Sequence, residues 1–394
     1  MESTPSIKPI LEDREPMLII APPLNDSILT SLFIISERAR RGWITHARWL
    51  TQSSLRDLGD LRDIIDRYPV VLFVDPPTRF NLEGITNAFS DKRVYSIHSV
   101  KPTWLSADVE LELDKSVPRT LWGLMGNEPH VDAKSLMFLI VALVHESTVS
   151  HQVDRVFDKM PLVDAEVLEY PSIPGLLIMP LHKALSHSIS PVVPNVTGNE
   201  ERAKELVRGL LGRVDVSFGD LSGDKLLELF RDIANELVVS GVYTSYLDKV
   251  MSGLIKWKST KVDTLEILLA IESQLTLWRY IVGVAQPVTN PDTLVSRGDL
   301  MGTVDEYLGI LGHALNELLR SGKATLNVNE PLPIADRLCS VSTFTNKSFT
   351  LEFPKAGWVI NCPGAGGDDD LVFNRYGYSM GVRLVGEGEG KGNT

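Results

Sequence analysis

Short apolar runs alternate with helical patterns near the start of the chain, and this alternation restricts the fold more than any other feature of the sequence. Met17–Ala21 and Val70–Val74 contain no polar residue, which is typical of strands buried on both faces of a sheet. Arg93–Ile97 is predicted as a third strand, and apolar residues follow the first strand at helical spacing from Ile28 to Ile35. Strands separated by helices form a parallel sheet with right-handed crossovers, so the sequence predicts an α/β domain.

Polar residues follow each of these strands. Asp26, Asp75 and His98 all fall in predicted loops after a strand. In a parallel sheet such loops gather at the C-terminal edge, where ligand sites of open α/β folds form. The pattern therefore predicts that the three side chains share one edge of the sheet. Asn25, Asp26 and Ser27 are also good helix N-cap residues, and Gly42 is suited to a left-handed C-terminal cap.

The rest of the chain predicts a helical middle region and a small β-rich end. Helical patterns cover Glu200–Leu211, Asp224–Val239, Tyr243–Trp257 and Asp263–Val284. From Lys323 the sequence is rich in β-branched and aromatic residues, and Ser348–Phe353 alternates polar with apolar as a half-buried strand does. We predict an α/β domain over 1–160, a connector and helical middle region over 161–290, a connecting helix with the β-rich domain over 291–385, and a flexible tail over 386–394.

Composition restricts the classes of partner and compartment. The net charge of −12 argues against a surface built broadly for nucleic-acid phosphates, although it leaves room for a local basic groove. The apolar run Leu136–Val144 is shorter than the roughly 18 residues of a membrane span, and Met1–Pro16 does not have the pattern of a signal peptide. Cys339 and Cys362 lack zinc-site spacing. We expect a cytoplasmic, nucleoid-associated protein in a reduced compartment, with no membrane partner.

Two groups of basic residues are candidates for phosphate contacts. One surrounds the end of the first predicted helix and the other surrounds Trp257; their members are Arg38, Arg40, Arg41, Arg48, Lys256, Lys258 and Lys261. The alternative interpretation is that both groups are solvated helix faces, which is the usual role of short charge runs.

The segment Leu181–Glu200 resembles a known family. It contains Ser188-Ile189-Ser190-Pro191 followed by Thr197-Gly198-Asn199, and both the text and the order of domains resemble the RecJ-like DHH phosphoesterase superfamily. That superfamily includes archaeal nucleases that attach to the GINS complex and the cell-division-cycle subunit of the CMG helicase. The resemblance covers nearly the whole chain and implies a DHH-like α/β domain and a DHHA1-like C-terminal domain.

Active members of the superfamily hold two manganese ions with Asp and His ligands. Two such ions, about 4 Å apart, generate a hydroxide and stabilise an in-line phosphoryl transfer. In the superfamily the first motif, after the first strand, has the form His-x-Asp-x-Asp-Gly; here it reads Pro22–Ser27 and retains only Asp26. The lone Asp that follows a later strand in the family matches Asp75. The Asp-His-His signature reads Ile97-His98-Ser99, and Glu146 is the carboxylate nearest to the fourth ligand position.

These four residues are vestigial metal-site positions, because they are too few for two coordination shells. The resemblance therefore implies an inactive nuclease homologue without a cofactor. An alternative interpretation gives the residues structural roles: Asp26 as a helix cap, Asp75 as the end of a strand and His98 as a loop histidine.

A glycine-rich stretch near the C-terminus is a further candidate. The family has a Gly-rich loop that ends in His and approaches nucleic acid. The corresponding stretch here contains Gly364, Gly366 and Gly367, followed by Asp368–Asp370 in place of the His. These glycines are a possible nucleic-acid-proximal loop, and the alternative is a solvated turn.

The resemblance implies a non-catalytic, archaeal-type subunit of the DNA replication machinery that binds GINS and supports the MCM helicase through GINS. One alternative is a divergent Mn²⁺-dependent phosphoesterase or exonuclease on single-stranded DNA or short oligonucleotides, with Asp26, Asp75, His98 and Glu146 as ligands. A second alternative is a passive binder of single-stranded DNA.

Overall fold

The computed structural model divides the chain into two compact units, one formed by 1–146 with 364–394 and one by 147–363. It describes residues 6–51, 58–80, 86–112, 116–125, 131–150, 165–168, 171–242, 254–257, 263–277, 298–345, 347–363 and 369–385. The predicted division into 1–160, 161–290 and 291–385 stays a prediction. In the first unit, Leu371 and Val372 pair with Phe80 and Arg79.

The first unit contains the predicted parallel sheet. Its elements are β1 (Met17–Ala21), β2 (Thr45–Trp49), β3 (Val70–Val74), β4 (Arg79–Phe80), β5 (Arg93–His98), β6 (Val109–Glu112), α1 (Lys8–Glu12), α2 (Asn25–Arg40), α3 (Leu58–Ile65), α4 (Val117–Met125) and α5 (Ala133–Ser150). The five-stranded sheet has the order β2-β1-β3-β5-β6, and every pairing in it is parallel. The predicted α/β class is confirmed.

The strand order follows from hydrophobicity. All residues of β1 and β3 are buried, whereas β2 is only partly buried and lies at an edge of the sheet. Leu18, Ile20 and Phe73 form part of one hydrophobic core with Leu61 and Ile65 of α3. The two most apolar runs of this region therefore lie in the interior of the sheet, where burial of apolar surface stabilises them most.

The second unit is mainly helical. Its elements are β7 (Ala165–Leu168), α6 (Leu181–Ser186), α7 (Glu200–Leu211), α8 (Gly223–Val239), β8 (Leu254–Trp257), α9 (Thr264–Leu277), α10 (Gly298–Ser321), β9 (Lys323–Thr325), α11 (Pro331–Thr345), β10 (Phe349–Phe353) and β11 (Trp358–Cys362). Strand β10 pairs parallel with β9 and antiparallel with β11, so the predicted strand near Ser348–Phe353 is confirmed.

One sequence prediction for this unit is wrong. The middle region is not all-helical, because Leu254–Trp257, the end of the predicted helix Tyr243–Trp257, pairs antiparallel with Ala165–Leu168; residues 243–253 lie outside the described residues. The predicted β-rich end is confirmed by its strands, and it also contains α11, which begins at Pro331. A strand pair that joins residues so distant in sequence is not visible in a local pattern.

The cysteines also differ from expectation. The sequence analysis predicts a reduced compartment, whereas Cys339 of α11 and Cys362 of β11 form a disulfide with a Cα–Cα distance of 5.0 Å. Their proximity depends on the packing of α11 against β11, which the spacing of the two residues does not reveal. Among the described helices, none combines the length and the apolar character needed to cross a membrane.

The segment that resembles the superfamily forms a tightly bonded turn in the second unit. The Thr197 hydroxyl donates to the Ser188 carbonyl at 2.7 Å and accepts from the Val193 amide at 2.8 Å. Gly198 has a φ of 72°, and the Asn199 side chain caps α7. Helix α10 lies directly against this turn, since a Cβ on Gly312 would be 2.1 Å from the Thr197 carbonyl oxygen.

A buried ion pair links two helices of the same unit. Arg337 of α11 donates from Nη2 to Glu272 Oε2 of α9 at 2.7 Å, and both side chains are almost fully buried. Tyr307 of α10 also donates its hydroxyl to Glu272, and Arg337 Nη1 donates to the Thr148 hydroxyl at 2.8 Å. The paired charges satisfy each other in an apolar interior, and with the Tyr307 hydroxyl they connect α9, α10 and α11.

The last strands complete the first unit. β12 (Leu371–Arg375) and β13 (Tyr378–Leu384) form an antiparallel hairpin, and β12 also pairs antiparallel with β4. The two residues that connect the strands, Tyr376 and Gly377, have φ values of 38° and 93°. Two positive φ angles are typical of a type I′ turn, where a tyrosine is unusual because its Cβ strains the left-handed conformation.

Substitution of Gly312 tests the close contact of α10 with the turn. We expect Gly312→Ala to lower the free energy of unfolding by about 3 kcal/mol, because the new methyl group overlaps a backbone oxygen. Gly309 lies on the same helix with no atom near its Cβ position, so Gly309→Ala should be neutral or stabilise by about 0.5–1 kcal/mol. Urea unfolding of both variants measures the difference; equal stabilities would contradict the packing described.

Glu330 predicts a pH dependence of stability. Burial raises the pKa of Glu330 from 4.5 to about 8. Between these values the folded chain keeps a proton that the unfolded chain loses, so the free energy of unfolding falls as pH rises from about 4.5 to 8. In Glu330→Gln, the fall in the free energy of unfolding across this pH range should be smaller by about 1 kcal/mol or more. Urea unfolding at each pH measures the fall.

The control for this prediction is Glu201→Gln, because the Glu201 side chain is 80% exposed. It should keep the native slope. Part of the slope should survive in Glu330→Gln, since burial also raises the pKa of Asp263 to about 6 and that of Glu266 to about 9. A native-like profile in Glu330→Gln would show that Glu330 is not the protonated group.

Candidate functional site

The first aspartate of the predicted site lies in the first turn of α2, directly after β1. Helix α2 has Leu24 as its N-cap, and no side chain caps it. The interpretation of Asp26 as a helix cap is therefore wrong. Its carboxylate is instead buried, with 2% of the residue exposed, and it has partners from a distant part of the chain.

The second aspartate follows β3 and has a left-handed backbone. Asp75 has a φ of 47°, a conformation that aspartate tolerates better than most residues. Its amide donates to the Ile97 carbonyl at 2.8 Å, which continues the pairing of β3 with β5. The side chain is 13% exposed, so Asp75 lies at the C-terminal edge of the sheet, as the strand order predicts.

An arginine that the sequence analysis missed joins these two aspartates. Arg375, the last residue of β12, donates from Nη2 to Asp26 Oδ1 at 2.5 Å and from Nη1 to Asp75 Oδ2 at 2.7 Å. Its side chain is only 2% exposed. A planar guanidinium with paired donors suits two carboxylates better than a lysine ammonium does. We name Arg375, Asp26 and Asp75 the arginine bridge.

The next residue of the hairpin completes this arrangement. The Tyr376 hydroxyl donates to Asp26 Oδ2, and the Arg375 guanidinium lies 4.7 Å from the centre of the Tyr376 ring. The ring also contacts His145 of α5 edge-on, with 6.4 Å between ring centres. These contacts explain why a tyrosine occupies the strained first position of the turn, where glycine or asparagine is usual.

The bridge keeps Asp26 ionised although it is buried. Burial by itself raises the pKa of Asp26, but the Arg375 guanidinium, His145 and the hydrogen bonds from Arg375 and Tyr376 lower it further, so the pKa lies below 3.8. A buried carboxylate with these partners is a stable anion at neutral pH.

Glu146 has two polar partners of its own: Ser116, which directly precedes α4, and Arg119 of α4. The Ser116 hydroxyl donates to Glu146 Oε2, and Arg119 Nη2 lies 2.9 Å from Oε1. Burial raises the pKa of Glu146; Ser116 and Arg119 oppose that shift less strongly, and the charge of Asp26 adds to it. The structure thus gives Glu146 a hydroxyl and a guanidinium as partners.

His98 lies at the end of β5 and is buried. Its Nδ1 is hydrogen-bonded to the Ser96 hydroxyl at 2.8 Å. Within the part of the chain that the structure describes, no group of three or more His, Cys, Asp or Glu side chains is arranged to hold a metal ion. The structure therefore brings Asp26 and Asp75 to one arginine but does not assemble Asp26, Asp75, His98 and Glu146 into a ligand set.

The glycine-rich loop is only partly described. Gly364, Gly366 and Gly367 lie outside the described residues, and their proximity to nucleic acid stays a prediction. Asp370, the last of the three aspartates that follow, accepts from the Leu384 amide through Oδ2 at 2.8 Å. At least this carboxylate helps to join β12 to β13.

The first basic group has a structural role. Arg38 is fully buried and donates to the carbonyls of Ile10, Asp13 and Glu15, and Arg41 donates to that of Leu11. The two arginines hold the segment before β1 against α2. The phosphate-binding interpretation is therefore wrong for Arg38. In the second group, the side chain of Lys256 and residues 258–262 lie outside the described residues.

A shallow depression borders the arginine bridge in the first unit. It is lined by Asp75 and Arg375 together with Thr78, Ser99 and Asn374, among others. Asn374 Nδ2 donates to the Thr78 hydroxyl at 3.1 Å. The partly exposed side of Asp75 thus borders polar groups of Thr78 and Asn374.

Comparison with solved structures identifies the fold. CDC45 from Entamoeba histolytica matches 90% of this chain over 85% of its own, with a TM-score of 0.57 and 12% identity. The chain has a CDC45-like fold. The sequence resemblance implies a fold of this kind, and the match to CDC45 confirms that expectation for the fold alone. No family model and no curated protein matches the sequence.

Two RecJ structures match over a larger share of the chain but less closely. Exonuclease RecJ bound to manganese covers 96% of this chain and 88% of its own, with a TM-score of 0.42 and 11% identity. RecJ in complex with Mn²⁺ from Thermus thermophilus covers 96% and 51%, with a TM-score of 0.39 and 13% identity. Both TM-scores lie below 0.5 and do not establish a shared fold.

Removal of the Tyr376 hydroxyl tests the electrostatics of Asp26. Tyr376→Phe should lower the free energy of unfolding by about 1.5–3 kcal/mol at pH 7, because a buried carboxylate loses a donor. The lowered pKa of Asp26 stabilises the fold above its unfolded pKa of about 3.8, and this stabilisation is lost as pH falls below that value. The difference between the two proteins should therefore shrink below about pH 3.8, which urea unfolding across pH measures; a constant difference would contradict the assignment.

Proposed function

We propose that this chain is a non-catalytic, RecJ-like subunit of the DNA replication machinery, which binds GINS and supports the MCM helicase through it. The arginine bridge is the observation that carries the proposal. The two aspartates that match metal ligands of the superfamily are both bound to Arg375. The CDC45-like fold supports the replication role, because CDC45 bears the name of the cell-division-cycle subunit to which the sequence shows a resemblance.

The residues present do not fit two manganese ions. Each ion needs several oxygen or nitrogen ligands with free lone pairs, and Asp26 and Asp75 direct oxygens at a guanidinium. The fixed positive charge of Arg375 also repels a cation from the same oxygens. Leu24 and Ser99 stand where the first motif and the signature of active relatives have ligands. Among the residues that the structure describes, a phosphoryl transfer that depends on two metals has no ligand set.

A fold retained without its metal ligands acts through its surfaces. The net charge of −12 favours protein partners over extended contact with DNA phosphates. The buried positions of Arg38 and Arg375 remove two arginines from any basic groove. GINS is therefore the partner that we propose, and single-stranded DNA is at most a local contact.

Reconstitution tests the proposal. The purified chain, GINS and MCM from the same source are mixed and separated by size-exclusion chromatography, and DNA unwinding by MCM is measured with and without the chain. We expect co-elution with GINS and greater unwinding when all three are present. Asp75→Asn should bind GINS as the native chain does, because the bridge is not the proposed interface. Reproducible failure to associate would contradict the proposal.

A nuclease assay tests the non-catalytic part separately. The chain is incubated with labelled single-stranded DNA and Mn²⁺, and product formation should equal that of Asp75→Ala. Cleavage by the native chain that Asp75→Ala abolishes would favour the phosphoesterase alternative. Binding of the same DNA that weakens steeply with salt, without cleavage, would favour the single-strand binder.

A further inference from the structure

We infer that Arg375 is an internal counter-cation, which closes the former metal site, and that removal of its guanidinium opens a binding site for a divalent cation between Asp26 and Asp75. The inference concerns the first unit alone and does not depend on GINS binding. It rests on the charges, the geometry and the solvent access of the arginine bridge.

The charges require a cation at this place. Asp26 is buried and Asp75 is mostly so, and two carboxylates directed at one point repel each other strongly when water is excluded. Arg375 supplies a positive charge to both. Tyr376 adds a neutral donor to Asp26. Without the guanidinium, the pair would have to take up a proton or another cation.

The geometry makes the guanidinium and a metal ion mutually exclusive. Nη1 and Nη2 belong to one planar group, and each binds an oxygen of a different aspartate. A cation that bridges these carboxylates needs the same oxygens and the same space. Arg375 is covalently part of the chain and buried, so a dissolved cation competes with a donor that cannot diffuse away.

The side of Asp75 that a cation could approach borders the depression, where the Asp75 side chain is 13% exposed. Thr78 and Asn374 line this side with polar groups. In a variant without the guanidinium, the space that the guanidinium leaves adjoins the depression, and an ion that enters it can keep part of its water shell. Ions such as Mn²⁺ and Mg²⁺ bind in this way when a protein supplies one or two carboxylates.

A competing explanation is that Arg375 contributes only packing. The two explanations predict opposite results when the negative charges are also removed. Arg375→Met leaves two buried carboxylates without their counter-charge, whereas Asp26→Asn combined with Asp75→Asn and Arg375→Met leaves a neutral cluster. If charge compensation is the role of Arg375, the triple variant is more stable than the single variant.

The experiment measures thermal unfolding of the native chain, Arg375→Met and the triple variant, with MnCl₂ or with NaCl of equal ionic strength. The native Tm should not respond to Mn²⁺. Arg375→Met should unfold about 6 °C or more below the native chain, and Mn²⁺ but not NaCl should raise its Tm.

The triple variant should recover most of the lost stability, and its Tm should not respond to Mn²⁺. Arg383→Met, at an exposed position of β13, is the matched control and should resemble the native chain.

Electron paramagnetic resonance of free Mn²⁺ gives a second readout. Arg375→Met should reduce the free-ion signal, whereas the native chain and the triple variant should not. A native chain that binds Mn²⁺ in a manner abolished by Asp75→Asn would overturn the inference. The inference would also be overturned if Arg375→Met folds but neither its Tm nor the free-ion signal responds to Mn²⁺. It would be overturned as well if the triple variant has a Tm as low as that of Arg375→Met. If Arg375→Met does not fold, a folded triple variant supports the counter-charge role and an unfolded one overturns it.

Discussion

Two carboxylates at the C-terminal edge of a parallel sheet must be neutralised, and this requirement shapes the first unit. Asp26 and Asp75 lie where β1 and β3 end, and the packing of the sheet removes them from water. Arg375 supplies the opposite charge from a hairpin near the end of the chain. The pairing of β12 with β4 holds that hairpin beside the sheet edge, and Arg375, Tyr376 and His145 together lower the pKa of Asp26.

The second unit solves a similar problem with different chemistry. Its helices bury the pair of Arg337 and Glu272, and Tyr307 donates to the same carboxylate. Backbone contacts fix the remaining geometry, since Gly198 and Gly312 allow α10 to approach the turn that precedes α7 without a side chain between them. The segment that resembles the RecJ-like superfamily is thus a packing element of this unit, and that role does not depend on metal ligands.

The local pattern of the sequence predicted part of the site and missed its centre. The strands β1, β3 and β5 are apolar runs with helices between them, so the sheet edge follows from periodicity. The predicted loop positions of Asp26 and His98 are wrong, because Asp26 lies in the first turn of α2 and His98 ends β5. Arg375 carried no such signal, because a single arginine at the end of an alternating strand looks like any solvated residue. An unusual Tyr-Gly turn directly after it was the one feature that could have directed attention there.

The sequence by itself determined the α/β class, the strands β1, β3 and β5 and the strand near Ser348–Phe353. The tertiary structure decided which residue compensates Asp26 and Asp75, that Leu254–Trp257 is a strand, and that Cys339 meets Cys362. The physical reason is distance along the chain. Arg375 lies 300 residues from Asp75 and 349 from Asp26, and contacts of that range leave no periodic pattern because they form only when the whole unit has packed.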